Sequence, residues 1–489
     1  MYVRTVFVTA CLMISALRAQ PASPAPTNIG ALRETVENGL IPRVAVEGEP
    51  TPHWNVYDRM RRYRVPAMSV AVIHAGVIEW TAVYEIKADG SQGTLPDSTL
   101  FQAASISKGF TGALAIRLSQ AGKLDLDAPI DTYLKPLQLP KGAQTSDHPV
   151  TLRNLLQHAA GATVSGFDGY STGTPVPTAE QVILGATPAN SKPVLVATRP
   201  DSRYEYSGGG YTVAQVAIEK RMQASFASLM EEWVLKPLNM SRSTFQQPLP
   251  KHYQSFFAPG YYYDRTPVEG GAHIYPELAA AGLWTTATDL AKFAIAIHKA
   301  RTSGGQFMGV AAANEYLTPK FNHYALGLAV LGEGSDFHFT HQGGNTGYKC
   351  RYVMYTPRGD GVVAMTNSDN GMPLANEYIR AVFSAYKWPD FLAPRKETPF
   401  AVDPKTLETY VGRYHWDRSE DRFPDWVELV RTDTGFALVT PNLGKVRLLP
   451  TGQRQFVAPE SGARIELAQA DGAVKRIIVD GRSATLALN

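Results

Sequence analysis

Ser105 and Lys108 stand three residues apart in Phe101-Gln102-Ala103-Ala104-Ser105-Ile106-Ser107-Lys108-Gly109-Phe110, and residues 111–118 continue with apolar positions at helical spacing. Positions i and i+3 share a helix face, so the hydroxyl and the amine touch if a helix begins near Ser105. A serine hydroxyl becomes a useful nucleophile when a neighbouring base takes its proton, and an amine is that base only while neutral. An ordinary lysine titrates at about 10.4, so neutrality near pH 7 requires roughly 4 kcal/mol of environmental bias. Burial and the positive end of a helix both push that way. The same helix end leaves backbone N–H groups free to hold a developing oxyanion.

The pair alone is a weak signal. Ser384-Ala385-Tyr386-Lys387 repeats the spacing inside an expected amphipathic helix, 375–387, and no companion motif follows it. Two later stretches set the first copy apart. In Arg203-Tyr204-Glu205-Tyr206-Ser207-Gly208-Gly209-Gly210-Tyr211, Tyr206 precedes three glycines, where backbone can approach a ligand closely. A phenol held near a lysine can relay a proton to a leaving group; the alternative is an aromatic core residue beside a loop. In Thr340-His341-Gln342-Gly343-Gly344-Asn345, an expected strand runs into glycines. That would turn His341 to a cleft and bring the Gly344 N–H to a substrate carbonyl; the alternative is a plain turn between strands.

These residues need a frame that brings 105, 206 and 341 together. Residues 67–73 and 77–84 are β-rich runs parted by His74-Ala75-Gly76, a hairpin signal. Helical patterns follow at 151–158, with Thr151 as its cap, then at 212–222, 225–235 and 289–297. Strand patterns return at 326–331, 337–341, 350–355 and 361–366, and a helix at 375–386 closes the region. The arrangement predicts an α/β unit whose sheet is assembled from both ends of the segment around a helical insertion. After Ala393-Pro394-Arg395-Lys396-Glu397-Thr398-Pro399, about eight short alternating strands parted by Gly and Asp turns predict a small antiparallel β-barrel.

The 489 residues suggest two or three compact units, with apolar and charged fractions of 44% and 19% that suit an ordinary soluble protein. A formal charge of +3 without any Lys/Arg run argues against a nucleic-acid partner. Arg4, the apolar run 6–17 and a small-residue cut after Ala19 read as a secretory signal, giving a periplasmic or secreted protein. The run is too short to span a membrane comfortably, so no integral membrane segment is expected once it is removed. Cys11 lies too early for a lipoprotein box, and Cys350 is then the sole remaining cysteine, a buried thiol. No Cys/His cluster has metal-ligand spacing, and neither metal nor cofactor is expected. Oligomeric state is left open.

Taken in order, Ser105-Ile106-Ser107-Lys108, Tyr206-Ser207-Gly208 and His341-Gln342-Gly343 resemble the motifs of the serine β-lactamase and penicillin-binding-protein superfamily. The branch is that of class C β-lactamases, D-alanyl-D-alanine carboxypeptidases and related esterases. Accessory stretches agree: Gly122-Lys123-Leu124-Asp125-Leu126-Asp127, Leu155-Leu156-Gln157-His158-Ala159-Ala160-Gly161 and Ala281-Gly282-Leu283-Trp284-Thr285-Thr286. The resemblance implies a β-lactamase-like antiparallel sheet flanked by helices, an all-helical subdomain, and a site between them. It implies Ser105 as the acylated nucleophile, Lys108 and Tyr206 as general acid/base groups, and the N–H groups of Ser105 and Gly344 as the oxyanion hole. His341, Gly343 and Gly208 would border the substrate, with loops 161–177 and 246–271 around the pocket. The trailing barrel resembles the lipocalin-like domain appended to many such hydrolases. The expected organisation is a signal at 1–19, a lead-in at 20–52, the hydrolase domain at 53–392, a linker at 393–400 and the barrel at 401–489.

Two departures bear on substrate. Gly208 stands where the superfamily commonly has asparagine, losing an amide that would hold an acylamino group. His341 stands where β-lactamases usually have lysine, and a mostly neutral imidazole attracts a carboxylate less strongly. The leading expectation is an exported serine hydrolase working through an acyl-enzyme on small-molecule esters or on D-amino-acid-type amides and peptides. The alternatives are a class C-like β-lactamase and, in another class, a non-hydrolytic penicillin-binding-like receptor.

Overall fold

In the computed structural model, which describes residues 28–389, 392–417, 424–433, 435–470 and 474–487, the chain opens with α1 (Ile29–Glu37), capped by the Asn28 side chain. The expected signal segment lies outside the described residues. A short strand β1 (Val44–Val46) and helix α2 (Val56–Tyr63) follow. The expected hairpin forms next: β2 (Ala67–His74) and β3 (Val77–Ile86) pair antiparallel around Ala75 and Gly76, both left-handed, and β4 (Gln92–Thr94) adds an edge. A single 3₁₀ turn, Ala104–Ile106, then runs straight into α3 (Ser107–Gln120).

Almost every residue of α3 is buried, including Phe110, Leu114 and Leu118, so this helix is the axis of the helical half. Its Phe110 ring stacks on Phe293 with centroids 3.9 Å apart. Because the helix is wrapped on all sides, Lys108 is carried into dry surroundings with it. Short helices at Leu152–Leu156, Ala179–Leu184 and Phe226–Met230 surround α4 (Gly208–Met222), α5 (Leu278–Ala281) and α6 (Ala287–Thr302).

The chain then returns to the sheet through β5 (Ala329–Leu331), β6 (His338–Asn345), β7 (Tyr348–Tyr355) and β8 (Asp360–Thr366), and α7 (Gly371–Tyr386) covers it. The seven strands lie in the order β4-β3-β2-β8-β7-β6-β5, every neighbouring pair antiparallel. One face packs Met68, Val70 and Val362 against Met60 of α2 and Ile379 and Val382 of α7. The other packs Ala71, Tyr352 and Met365 into the core shared with α3 and α6.

Three boundaries differ from the sequence reading for identifiable reasons. The helix expected at 212–222 starts at Gly208, because the Ser207 hydroxyl accepts from the Gly210 N–H and caps it; the three glycines form its first turn rather than a loop. The strand expected at 326–331 starts only at Ala329: Gly327, at φ 96, turns the chain so closely over α3 that a Cβ there would lie 2.1 Å from the Lys108 carbonyl oxygen. The strand expected at 337–341 instead runs through both glycines to Asn345. Lys387 of the second Ser-x-x-Lys is the left-handed C-cap of α7, outside the helical register that would stack it on Ser384.

Beyond α7, β9 (Arg395–Glu397) pairs parallel with β1, so the expected linker is tied to the lead-in. The remaining strands, β10 (Gly412–Trp416), β11 (Trp426–Thr432), β12 (Gly435–Thr440), β13 (Gly444–Gly452), β14 (Gln455–Val457), β15 (Arg464–Ala470), β16 (Val474–Val479) and β17 (Arg482–Leu486), close into an eight-stranded barrel. Its interior is filled by Tyr414, Leu429, Leu438, Phe456, Ile465 and Ile477. Arg59 of α2 ties it to the sheet unit: the guanidinium holds Glu377 of α7 at 2.8 and 2.7 Å and reaches Glu460 of the barrel at 2.9 Å.

Candidate active site

Ser105 sits in the 3₁₀ turn between the two-residue strand Phe101–Gln102 and α3. Ala104 beside it is left-handed at φ 49, a conformation costing a non-glycine residue about 1–3 kcal/mol unless its surroundings fix it. They do: the Ala103 N–H donates to Leu283, and Ser107 Oγ donates to the Ala104 carbonyl at 2.6 Å while accepting from the Leu283 N–H at 3.1 Å. The turn is thereby pinned to the segment leaving α5.

One helical turn on, Lys108 Nζ lies 3.0 Å from Ser105 Oγ and donates to the Ala280 carbonyl at 2.9 Å. Among the described residues the amine has no carboxylate partner, and burial pulls it down to about 7. It also sits 5.1 Å from the centre of the Tyr206 ring. Burial raises the Tyr206 phenol to about 12, the Ser105 hydroxyl offsetting part of that rise. At neutral pH the phenol therefore keeps its proton, and the amine is the group able to take one.

His341, on β6, has its two ring nitrogens spoken for. Nδ1 lies 2.6 Å from the Gln342 carbonyl oxygen, to which it must donate, and Nε2 lies 2.8 Å from the Tyr324 hydroxyl, from which it accepts. Burial, reinforced by the Lys108 charge, pulls the imidazole down to about 3. The ring is neutral and offers the cleft no cation.

A cavity of about 470 Å³ opens over these groups, bordered by Ser105, Tyr204, Tyr206, Tyr324, His341 and Gly344. Ser105, Lys108, Tyr206, His341 and Gly344 are thus brought together. Gly343 and Gly208 are not at its surface. A Cβ on Gly343 would lie 2.2 Å from the Ala103 carbonyl oxygen and 2.6 Å from Cys350 Sγ, so this glycine lets β6 press against the turn that carries Ser105. A Cβ on Gly208 would meet the Phe167 ring at 2.9 Å. Loops 161–177 and 246–271, expected around the pocket, do not border this cavity; Asn322 and Tyr324 do.

Residues 55–387 match the family model for beta-lactamases. The chain belongs to the beta-lactamase family. A stretch of 237 residues is 27% identical to a beta-lactamase of Providencia stuartii, covering 48% of this chain and 56% of that protein. Another of 270 residues is 24% identical to a teichoic acid D-alanine hydrolase of Staphylococcus aureus, covering 52% of this chain and 62% of that protein. The chain spans little more than half the length of these two relatives. The octameric penicillin-binding protein homologue of Pyrococcus abyssi superposes with a TM-score of 0.58 at 20% identity, over 94% of this chain and 100% of that one, a likeness of fold.

Within this beta-lactamase-family site, three contributors are given no role by the sequence. Tyr324 follows Asn322 and His323, both left-handed, and belongs to no motif. Asn345 Nδ2 donates to Gln102 Oε1 at 2.7 Å and to the Ala281 carbonyl at 3.1 Å, tying β6 to the strand before Ser105 and to α5. It stands two residues past the third motif, where its spacing was the available signal. His158 Nδ1 accepts from the Ser207 N–H at 3.0 Å, and its ring centre lies 4.2 Å from that of Tyr206. Among the described residues, no group of three or more His, Cys, Asp or Glu is gathered for a metal, and no helix is long and apolar enough to cross a membrane.

Proposed function

We propose that this protein is an exported serine hydrolase that works through an acyl-enzyme at Ser105. The observation that carries the reading is the 3.0 Å contact between Ser105 Oγ and a Lys108 amine that burial holds near 7. Neutral Lys108 takes the Ser105 proton as Oγ adds to the substrate carbonyl, and the Ser105 and Gly344 N–H groups hold the oxyanion. Tyr206, still a phenol, gives its proton to the departing oxygen or nitrogen and is reprotonated by the Lys108 ammonium. Water then adds to the acyl carbon, its proton passing to Lys108, and Ser105 recovers its own.

Neutral esters are the favoured substrates, with D-amino-acid-type amides second. His341 supports this order, since an uncharged ring whose Nε2 is occupied does not itself pair with a substrate carboxylate, and the Arg351 guanidinium at the cavity border is bonded to Asn376 Oδ1 at 2.7 Å. The D-alanine hydrolase among the relatives supports the second class. A class C-like β-lactamase is the competing reading, favoured by the Providencia relative. Turnover of a short-chain p-nitrophenyl ester against a cephalosporin separates them: ester hydrolysis should be much the faster, and the opposite order overturns the ranking. Labelling by a fluorophosphonate, absent in Ser105→Ala, separates both from a non-hydrolytic receptor.

A further inference from the structure

A second cavity, of about 550 Å³, lies beneath the C-terminus of α2 and shares no lining residue with the one over Ser105. Four cationic side chains border it: Arg61, Arg64, Lys87 and Arg265. Among the described residues Glu85 is the one carboxylate in its wall, and the remaining lining is largely apolar, with Ile86, Leu95 and Phe257 among it. Phe256 at the rim is 40% exposed.

The charge is not neutralised from within. Among the described residues neither Arg64 nor Arg265 has an ion-pair partner, and the pair of Arg61 is Asp58 at 3.1 Å, on the outer surface. The Arg64 guanidinium is pulled below its ordinary value, by burial first and then by the Arg265 and Arg62 cations. Like charges are therefore held within reach of one another around a hollow. Both arginines also occupy left-handed backbone positions, Arg64 at φ 59 and Arg265 at φ 78, where glycine is the unstrained choice. Guanidinium forks match carboxylate and phosphate oxygens, two donors to two acceptors.

We propose that this cavity is a binding site for an amphiphile with an oxyanion head group, its head between Arg64 and Arg265 and its apolar chain along Ile86, Leu95 and Phe257. The volume suits a small molecule, and a cationic or wholly apolar guest would leave the arginines unmatched. The site is independent of the chemistry assigned to Ser105.

Calorimetric titration of Ser105→Ala protein with sodium decanoate and with decyl phosphate, both below their micelle concentrations, tests this without any turnover. Saturable binding of both is expected, weakened by added salt, with decyltrimethylammonium at least tenfold weaker. Arg64→Gly/Arg265→Gly suits the left-handed backbone, and it should lose at least tenfold in affinity for the anions. Equal affinity in the double variant, equal binding of the ammonium amphiphile, or no saturable anion binding overturns the proposal. If circular dichroism shows the double variant unfolded, Arg265→Gly alone decides, because Arg265 is exposed in a turn; an unchanged affinity there also overturns it.

Discussion

The Tyr324 hydroxyl donates to His341 Nε2 across 2.8 Å, and the same ring donates from Nδ1 to the Gln342 carbonyl 2.6 Å away. The imidazole is held in one tautomer and one orientation by partners that leave its ring edge nothing to offer a substrate anion. Removing the Tyr324 hydroxyl strands a buried acceptor, at a cost of about 1–3 kcal/mol. Tyr324→Phe should lower kcat/KM for a neutral ester about tenfold, mostly through a loosened β6 wall. Steady-state kinetics that match the parent protein would show that the tyrosine merely packs.

On the proposed mechanism, Lys108 sets the pH dependence. The amine is active when neutral, so kcat/KM should rise with pH through a single ionisation at about 7 and then level. His341, neutral above about 3, contributes no limb in this range, and the phenol of Tyr206 contributes none until about 12. A His341→Gln variant should keep the midpoint where it was. A midpoint that moves with this substitution would assign the ionisation to the imidazole instead.

Ser105→Ala and Lys108→Ala should each remove nearly all ester turnover, and the double variant should be little worse than either, because groups that act as a unit lose activity non-additively. Initial rates with a p-nitrophenyl ester measure this. Comparable activity in either single variant would refute the assignment.

The buried amine also weighs on stability. Its folded value lies below its unfolded one, so the unfolded chain binds the extra proton between about 7 and about 10.4. Stability from this group is fully present above the upper value and is lost as pH falls through that window. Lys108→Met should therefore stabilise the fold, by about 1–3 kcal/mol at pH 6, with the gain shrinking towards pH 10. Denaturant midpoints at the two pH values check both the sign and the trend.

Arg59 joins the barrel to the sheet unit, and its two carboxylates differ in worth. Glu377 is fully buried, whereas the Glu460 side chain is 25% exposed. Glu460→Ala should cost about 1 kcal/mol or less. Arg59→Ala should cost about 3–5 kcal/mol, since it leaves Glu377 buried without its counter-charge. Thermal unfolding of the two variants side by side reads the difference.

The frame was legible in the sequence wherever one physical signal dominated. β-Rich apolar runs located β2, β3, β7 and β8, alternation located the barrel strands, and the Ser105–Lys108 spacing located its own helix. What escaped depended on contacts between distant segments. Ser207 begins α4 in the face of three glycines because its hydroxyl caps it, and Gly327 delays β5 because it folds over Lys108. Tyr324 was invisible for the same reason, being brought to His341 by two left-handed residues rather than by any periodicity. Gly343 and Gly208 were legible as important glycines, but packing sends their open sides towards Ala103 and Phe167 rather than the cavity.

Gly343 also makes β6 a gauge block. Strand alternation puts His341 and Gly343 on the side of Ser105 and turns Gln342 and Gly344 the other way, while full pairing from His338↔Tyr355 to Asn345↔Tyr348 locks that choice. Any side chain at 343 would wedge the strand off the turn that carries Ser105 and widen the gap between Ser105 and Gly344 together with it. The fine adjustment of the reaction centre is thus carried by a missing methyl group, and protein engineers seeking a roomier cleft have every other position on this wall to work with before that one.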